Sequence, residues 1–424
     1  MRVGIGILGG GTVGGSLANQ LLREAGAISA KSGIDVELVA VGVRDLAKKR
    51  DFPAGYATDD LEGVVDDDRV DLVVELMGGI DPARSLLKRA LEAGKPVVTA
   101  NKELMANHGE ELIELAAGRG VSLLFEAAVG GAIPIIRPLS ESLAGERIDR
   151  VIGIVNGTTN YILTAMEDEG RAYADVLAEA QALGFAEADP TADVAGHDSA
   201  AKAAILAGLA FGVWVNVADV HTEGIDGIDA MDIEMANSLG YSVKLLAIAD
   251  GGERGHVARV HPCLIPMGHQ LSSVRGSSNA VFLEGPNLGQ LLFSGPGAGG
   301  QPTATAVLGD VITASRELLA GSQVTPRIRY SAASPRSFDD VENQWYLRLI
   351  VADFPGVLAQ VAGAFGAADV SIKSVWQEGR GGTVTLVIIT HPAQEKAQRS
   401  ALEKLSALDA VDQVAAIIRV LDEE

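Results

Sequence analysis

Three observations predict an α/β fold for this 424-residue chain: apolar segments alternate with amphipathic ones across residues 1–130, a glycine-rich turn follows the first of them, and a second α/β pattern fills 345–424. VGIGILG at 3–9, VELVAVGV at 36–43, VDLVVELMG at 70–78 and KPVVTA at 95–100 predict strands, while SLANQLLREAG at 16–26 and DPARSLLKRALEAG at 81–94 predict crossover helices. Strands that are apolar along their whole length are covered on both faces, so the sheet should be mostly parallel.

The turn GGGTVG at 9–14 sits at the strand-to-helix junction and spaces Gly9, Gly11 and Gly14 as GxGxxG. Gly9 would permit the tight turn, Gly11 the approach of a pyrophosphate to the helix N-terminus, and Gly14 close packing of helix on strand. Such a turn can also be purely structural; the βαβ pattern around it favours a Rossmann-like dinucleotide domain over 1–130. After the second strand, VGVRDLAKKR places Arg44 where a ribose-binding carboxylate would suit NAD, and Lys48 and Lys49 add charge that would neutralise a 2′-phosphate. The expected cofactor is NADP or NAD, with NADP favoured; the alternative is that these bases solvate a helix.

Composition narrows the function classes. The 56 Asp and Glu outnumber 34 Lys and Arg, and a net charge of −22 repels a phosphate polymer, so no nucleic-acid partner is expected. Length and a 47% hydrophobic share fit two or three packed domains rather than disorder. Fifty glycines without a strict period exclude a fibrous chain. The single cysteine, Cys263, excludes an internal disulfide and fits a reducing cytoplasm. The longest apolar run, 204–218, is too short for a confident membrane span, and MRVGIGILGGG lacks a secretory cleavage pattern, so a soluble protein is expected.

The second region opens with FEAAVGGAIPIIRPLSESLAG at 125–145, a strand running into a Gly/Pro turn whose carbonyls would suit a monovalent cation. Gly157, Thr158, Thr159 and Asn160 form either a polar loop near a nicotinamide or an ordinary turn and cap. In AQALGFAEADPTADVAGHDSAAKAAILAGLA at 180–210, Glu187, Asp189, Asp193 and Asp198 precede Lys202. Asp198 and Lys202 share a helical face if Asp198 lies in the first turn, and a desolvated Lys202 would transfer or position a proton; a capped, salt-bridged helix is the plainer alternative. Lys102, in VVTANKELMA at 97–106, follows a strand of the first domain, where open α/β sheets place ligands. Its charge would meet a small acidic substrate in an interdomain cleft, against the alternative of a solvated helix-start lysine. His197 suits a loop or cap contact, His256, His261 and Cys263 lack a metal spacing, and Cys263 lacks the general base of an acylating nucleophile.

The stretch 327–344 reads as a connection to a separate module. Beyond it, WYLRLIVA, a helix from FPGVLAQVAGAFGAA, DVSIKSVWQ, GTVTLVIIT, a helix near 394–406 and DQVAAIIRVLD give the order βαββαβ. The division expected is 1–130, 131–320 with 295–320 returning to the first domain, a connector at 321–344, and 345–424.

GILGGGTVGG at 6–15, VVELMGG at 73–79, VVTANKE at 97–103, EAAVGGAIPII at 126–136, NGTTNYI at 156–162, GFAEADPTADVAGHDSAAK at 184–202 and SGPGAGGQPTATAV at 294–307 together resemble the homoserine dehydrogenase family, and DFPGVLAQVAGAFGAADVSIKSV at 353–375 resembles an ACT regulatory domain. The resemblance implies a Rossmann-like cofactor domain, an α+β substrate and dimerisation domain, and a C-terminal ACT-like domain. It implies reversible NAD(P)H-dependent reduction of L-aspartate 4-semialdehyde to L-homoserine, in threonine, methionine and isoleucine biosynthesis, with feedback by L-threonine and a homodimer or homotetramer. Lys202 would be general acid or base and Lys102 would bind and orient substrate, with Glu187, Asp193 and Asp198 holding its polar groups. Cofactor contacts would come from Gly9, Gly11, Thr12, Val13, Gly14, Arg44, Lys48, Lys49, Thr99, Lys102, Gly157, Gly297, Gly299 and Thr303. Glu126, Val129, Gly131 and Ile133 would offer oxygens to sodium, although Ala132 departs from a fuller glycine run. The competing function is a non-enzymatic NADP-dependent amino-acid-sensing regulator.

Overall fold

The computed structural model describes residues 2–252, 255–321, 328–331, 335–379 and 382–421. The chain divides into two compact units, 1–151 with 201–219 and 279–333, and 152–200 with 220–278 and 334–424.

In the first unit, strands β1 (Arg2–Leu8), β2 (Asp35–Gly42), β3 (Ala57–Thr58), β4 (Leu72–Glu75), β5 (Val97–Thr99) and β6 (Leu123–Leu124) form a sheet in the order β3-β2-β1-β4-β5-β6. Every pairing is parallel, as their apolar composition predicts. This is the doubly wound order, in which the chain reverses direction between β1 and β4, beside the glycine turn. The first helix spans Thr12–Arg23, starting directly at that turn rather than at Ser16, and buries Gly14, Leu17, Ala18 and Leu21 at helical spacing. A second helix, Ala25–Ser32, follows and stops at Gly33 in the left-handed region. The helix Gly300–Ala320 buries Ala304, Val307, Val311 and Ala314 in the same core as Ile5, Ile7 and Leu17. Each fully buried leucine or isoleucine there contributes about 1.5–3 kcal/mol.

In the second unit the strands run in the order Arg150–Ile154, Tyr241–Asp250, Val257–Pro266, Val411–Val420, Glu342–Ala352, Thr383–Thr390 and Ile372–Glu378. The last four, with helices Val357–Gly366 and Glu395–Ser406, give the βαββαβ order read from the sequence and enclose their own core around Leu347, Val361, Phe365, Ile388 and Leu405. The expectation of a wholly separate module is corrected here: Val411–Val420 pairs with Glu342–Ala352 on one side and in parallel with Val257–Pro266 on the other, at Cys263 with Arg419 and Leu264 with Val420. Pairing both edges of that strand removes an open sheet edge. Buried charges reinforce the seam. Arg348 donates to both carboxylate oxygens of Asp232 at 2.6 and 2.9 Å, and Arg419 joins Glu395 and Glu223. The expected connector is short: part of it, 322–327 and 332–334, lies outside the described residues, and the next strand already begins at Glu342. Among the described residues no helix is long and apolar enough to cross a membrane.

Candidate active site

The glycine turn is built for a close ligand. Gly9 adopts φ +108°, and a Cβ there would come within 2.6 Å of the Leu76 carbonyl group, while a Cβ on Gly14 would come 1.8 Å from the Gly9 oxygen. Those two glycines are required by the protein itself. At Gly11 a Cβ would meet nothing within 4 Å, so open space lies over the turn where a dinucleotide phosphate would approach. The helix beginning at Thr12 has no side-chain cap and no acidic residue in its first turn, and the same holds for the helix beginning at Gly300. The two starts are in contact, since a Cβ on Gly300 would lie 2.8 Å from Ser16 Oγ and 3.1 Å from the Thr12 carbonyl oxygen. Two neighbouring helix N-termini without side-chain caps leave backbone N–H groups that suit an anion. Thr12 and Val13 lie in that first turn, and Gly299 and Thr303 at the start of the second helix, where Thr303 is buried. Gly297 packs against the Asn279 side chain and supports Gly131, whose own Cβ position is 2.5 Å from the Gly297 oxygen. These residues therefore fit a dinucleotide cofactor.

Arg44, Lys48 and Lys49 are all exposed on the loop after β2. Arg50, which the sequence reading passed over, folds back onto that loop.

At the last residue of β4, paired with Thr99 of β5, lies a buried carboxylate that the sequence reading also missed. Glu75 is fully buried; its Oε1 accepts from the N–H groups of Met77 and Gly78 at 2.7 and 3.1 Å, and its Oε2 from the Thr99 hydroxyl at 2.6 Å. The Thr99 hydroxyl accepts in turn from the Asn101 N–H, and Asn101 caps the helix Lys102–Arg119 through Leu104 N–H. The Thr99 side chain thus serves the scaffold. Lys102 is fixed as the first residue of a capped helix just past a strand end.

The Gly/Pro turn hangs from a second buried carboxylate. Glu126 accepts from Ile135 and Ile136 N–H at 2.6 and 2.8 Å through Oε1 and from Arg137 N–H at 2.8 Å through Oε2. Asp310 accepts from the Glu126 N–H at 2.8 Å and from the Arg137 guanidinium at 2.5 Å. Burial pushes the Asp310 carboxyl up to about 6, although the Glu126 N–H and Arg137 pull it down. Gly130 and Gly131 take left-handed φ of +74° and +58°, placing Val129, Gly131 and Ile133 around a tight turn. Among the described residues no cluster of three or more His, Cys, Asp or Glu side chains is disposed to hold a metal.

In the second unit Asn156 is the hub. It caps the helix Gly157–Glu169 by accepting from Thr159 N–H, and its amide donates to Asp193 at 2.7 Å and Asp198 at 2.9 Å. Asn156 escaped the sequence reading, although Asn one residue before a glycine-led helix is a capping signal. Thr158 donates to the Phe185 carbonyl, and Asn160 is locked by Lys244 and by the carbonyls of Val274 and Ser278. These are tertiary hydrogen bonds, with partners 27 to 118 positions away in the chain. Burial pushes the Lys244 ammonium down to about 8. Glu187 is exposed on the loop between two helices. Asp198 lies in the first turn of the helix His197–Phe211 and Lys202 in the second, and both are buried. The condition for Asp198 and Lys202 to share a helical face is therefore met.

The other titratable candidates are spent on structure. His261 Nδ1 lies 3.0 Å from the Pro262 carbonyl and 3.2 Å from Cys263 Sγ, and burial pushes the thiol up to about 12. A thiol so hard to ionise is not a nucleophile.

Comparison with known proteins identifies the family. The family model for the homoserine dehydrogenase NAD-binding domain matches residues 9–126, that for homoserine dehydrogenase matches 134–312, and that for the ACT domain matches 345–410. A homoserine dehydrogenase of Mycobacterium tuberculosis is 45% identical over 99% of this chain and 97% of its own length. The crystal structure of a homoserine dehydrogenase from Thiobacillus denitrificans superposes with a TM-score of 0.95 at 40% identity, covering 100% of this chain and 99% of that one. A hyperthermophilic archaeal homoserine dehydrogenase in complex with NADPH matches with a TM-score of 0.62 at 30% identity, over 75% of this chain and 98% of that one. Glycine turn, buried lysine, carboxylate hub and terminal βαββαβ module fall within stretches that these relatives share, and the chain belongs to the homoserine dehydrogenase family, the NAD(P)-dependent oxidoreductases that reduce L-aspartate 4-semialdehyde to L-homoserine.

Proposed function

We propose that Lys202 is the general acid of this reduction and that NADPH is the preferred cofactor. The buried position of Lys202, one helical turn beyond Asp198, carries the reading. Bound NAD(P)H supplies the hydride. As the aldehyde carbon receives it, negative charge grows on the carbonyl oxygen, and the Lys202 ammonium donates the proton that completes the alcohol. Lys102 orients and polarises substrate, while Glu187, Asp193 and Asp198 hold its ammonium and polar groups; the Asn156 amide keeps Asp193 and Asp198 in register. Arg44, Lys48 and Lys49 take the 2′-phosphate. The NADPH complex of the archaeal homologue supports that choice.

Val129, Gly131 and Ile133 offer carbonyls to sodium or another monovalent cation, with the Glu126 carboxylate holding the turn. L-Threonine acts through the ACT-like module of a cytoplasmic homodimer or homotetramer; the exposed Phe354, Leu358 and Val375 on that module support an interface there. A catalytic protein is favoured over a non-enzymatic amino-acid sensor by the buried lysine, which a sensor would not need.

The test is NADPH oxidation with L-aspartate 4-semialdehyde, with and without L-threonine. Lys202→Ala is expected to lower kcat about 10²–10⁴-fold while leaving NADPH binding intact. A folded K202A enzyme with near-normal turnover would remove Lys202 from the chemistry.

A further inference from the structure

The loop after β2 is held by a side chain outside the set proposed above. Arg50 is half-buried; its Nη1 donates to the Lys48 carbonyl and its Nη2 to the Asp45 carbonyl, both at 2.7 Å. Asp45 closes the same loop by accepting from Ala47 N–H at 2.8 Å. The Arg50 Nε is sealed from solvent and has no acceptor among the described residues. A Cβ on Gly10 would come 3.3 Å from that Nε, 3.2 Å from the Phe52 ring and 2.7 Å from Val43, so the Arg50 Nε lies close against the glycine turn. One planar, always-charged group therefore braces the loop after β2 and packs it beside the glycine turn.

The consequence is electrostatic. Arg44, Lys48 and Lys49 are long, exposed cations on one short loop, and left to themselves they repel one another and sample many rotamers. A fork that fixes the carbonyls of residues 45 and 48 fixes the backbone from which all three project, at the cost of burying an unpaired Nε. Lysine cannot reproduce that geometry, because a single ammonium has no rigid spacing between donors.

We propose that Arg50 is the positioning residue for cofactor choice: it pre-organises the loop for a 2′-phosphate without contacting the reacting atoms. The inference rests on the reading of Arg44 as a 2′-phosphate ligand and deepens it. Steady-state kinetics with NADPH and with NADH, on Arg50→Met, Arg50→Lys, Arg44→Ala and the Arg44→Ala/Arg50→Met double variant, test it. For R50M the KM for NADPH rises about tenfold, the KM for NADH changes less than about twofold, and kcat at saturating cofactor changes less than about twofold. R50K falls between R50M and the parent. The double variant loses less than the two single losses multiplied together, because part of the Arg50 effect runs through the group that R44A removes and the rest through Lys48 and Lys49. An equal rise of both KM values in R50M, or no rise, overturns the Arg50 assignment and leaves Arg44 standing; an unchanged NADPH preference in R44A overturns the underlying reading instead. If R50M does not fold, R50K decides: the same NADPH-selective shift at reduced size supports the assignment, and its absence overturns it.

Discussion

Replacing Asn156 by Asp would separate the two jobs of this side chain. An Asp keeps the oxygen that caps Thr159 N–H but exchanges the amide donor for a second oxygen facing Asp193 and Asp198, which now accept at 2.7 and 2.9 Å. Two unit charges 4 Å apart repel by about 4 kcal/mol at an effective dielectric constant near 20, so an ionised residue here cannot be accommodated without loss. The new carboxyl therefore holds its proton in the folded state to a higher pH than in the unfolded chain, where it ionises near about 4. With the folded value raised, the folded state binds more protons, and stability falls as pH rises from about 4 through the folded value. N156D is expected to lose about 1–2 kcal/mol near pH 5, where its single O–H replaces two amide donors, and about 4 kcal/mol at pH 8. Urea unfolding of both proteins across that range, followed by circular dichroism, measures the difference. Parity with the parent at pH 8, or a loss that does not grow with pH, would refute the hub.

Gly11→Ala and Gly14→Ala should separate binding from folding: G11A keeps its stability but raises the KM for NAD(P)H about tenfold or more, whereas G14A, clashing with the Gly9 carbonyl, lowers the melting temperature by several degrees. Arg348→Ala strands a fully buried Asp232 and should cost about 3–5 kcal/mol, while an Arg348→Met/Asp232→Leu pair costs distinctly less; equal losses in thermal unfolding would mean that the pair does not bear on the seam. Burial works against ionisation of Glu223, but its bond to His221 and the Arg419 charge hold the carboxyl down to about 2. Its folded value is depressed, so its contribution is present above about 4.5 and is lost as pH falls toward 2; Glu223→Gln should flatten acid unfolding in that window.

The elements and the chemistry differ in how far they could be read along the chain. Strands β1, β2, β4 and β5 were predicted within two or three residues, because apolar runs between turn signals are local patterns. The start of the first helix was misplaced by four residues, since Thr12 and Val13 carry no amphipathic signal and become helical only because the glycine turn aims them there. The short β3 and the helix Leu61–Asp66 were not read at all, being too brief to establish a period. Lys102, Lys202, Asp193 and Asp198 stand out in the sequence through the family's motifs, whereas Glu75, Asn101, Asn156 and Arg50, whose hydrogen bonds hold those segments in place, do not.

The sequence by itself determined the doubly wound domain, the glycine turn, the terminal βαββαβ order and the family, because periodicity, turn chemistry and motif spacing are properties of neighbours. The tertiary structure alone decided which atoms satisfy the buried polar groups. Glu75 meets Thr99 across 24 positions, Asn156 meets Asp198 across 42, and Glu126 meets Asp310 across 184. It also decided that Val411–Val420 is shared by two sheet segments. A buried donor must find an acceptor wherever the fold brings one, and no local pattern records a partner that distant.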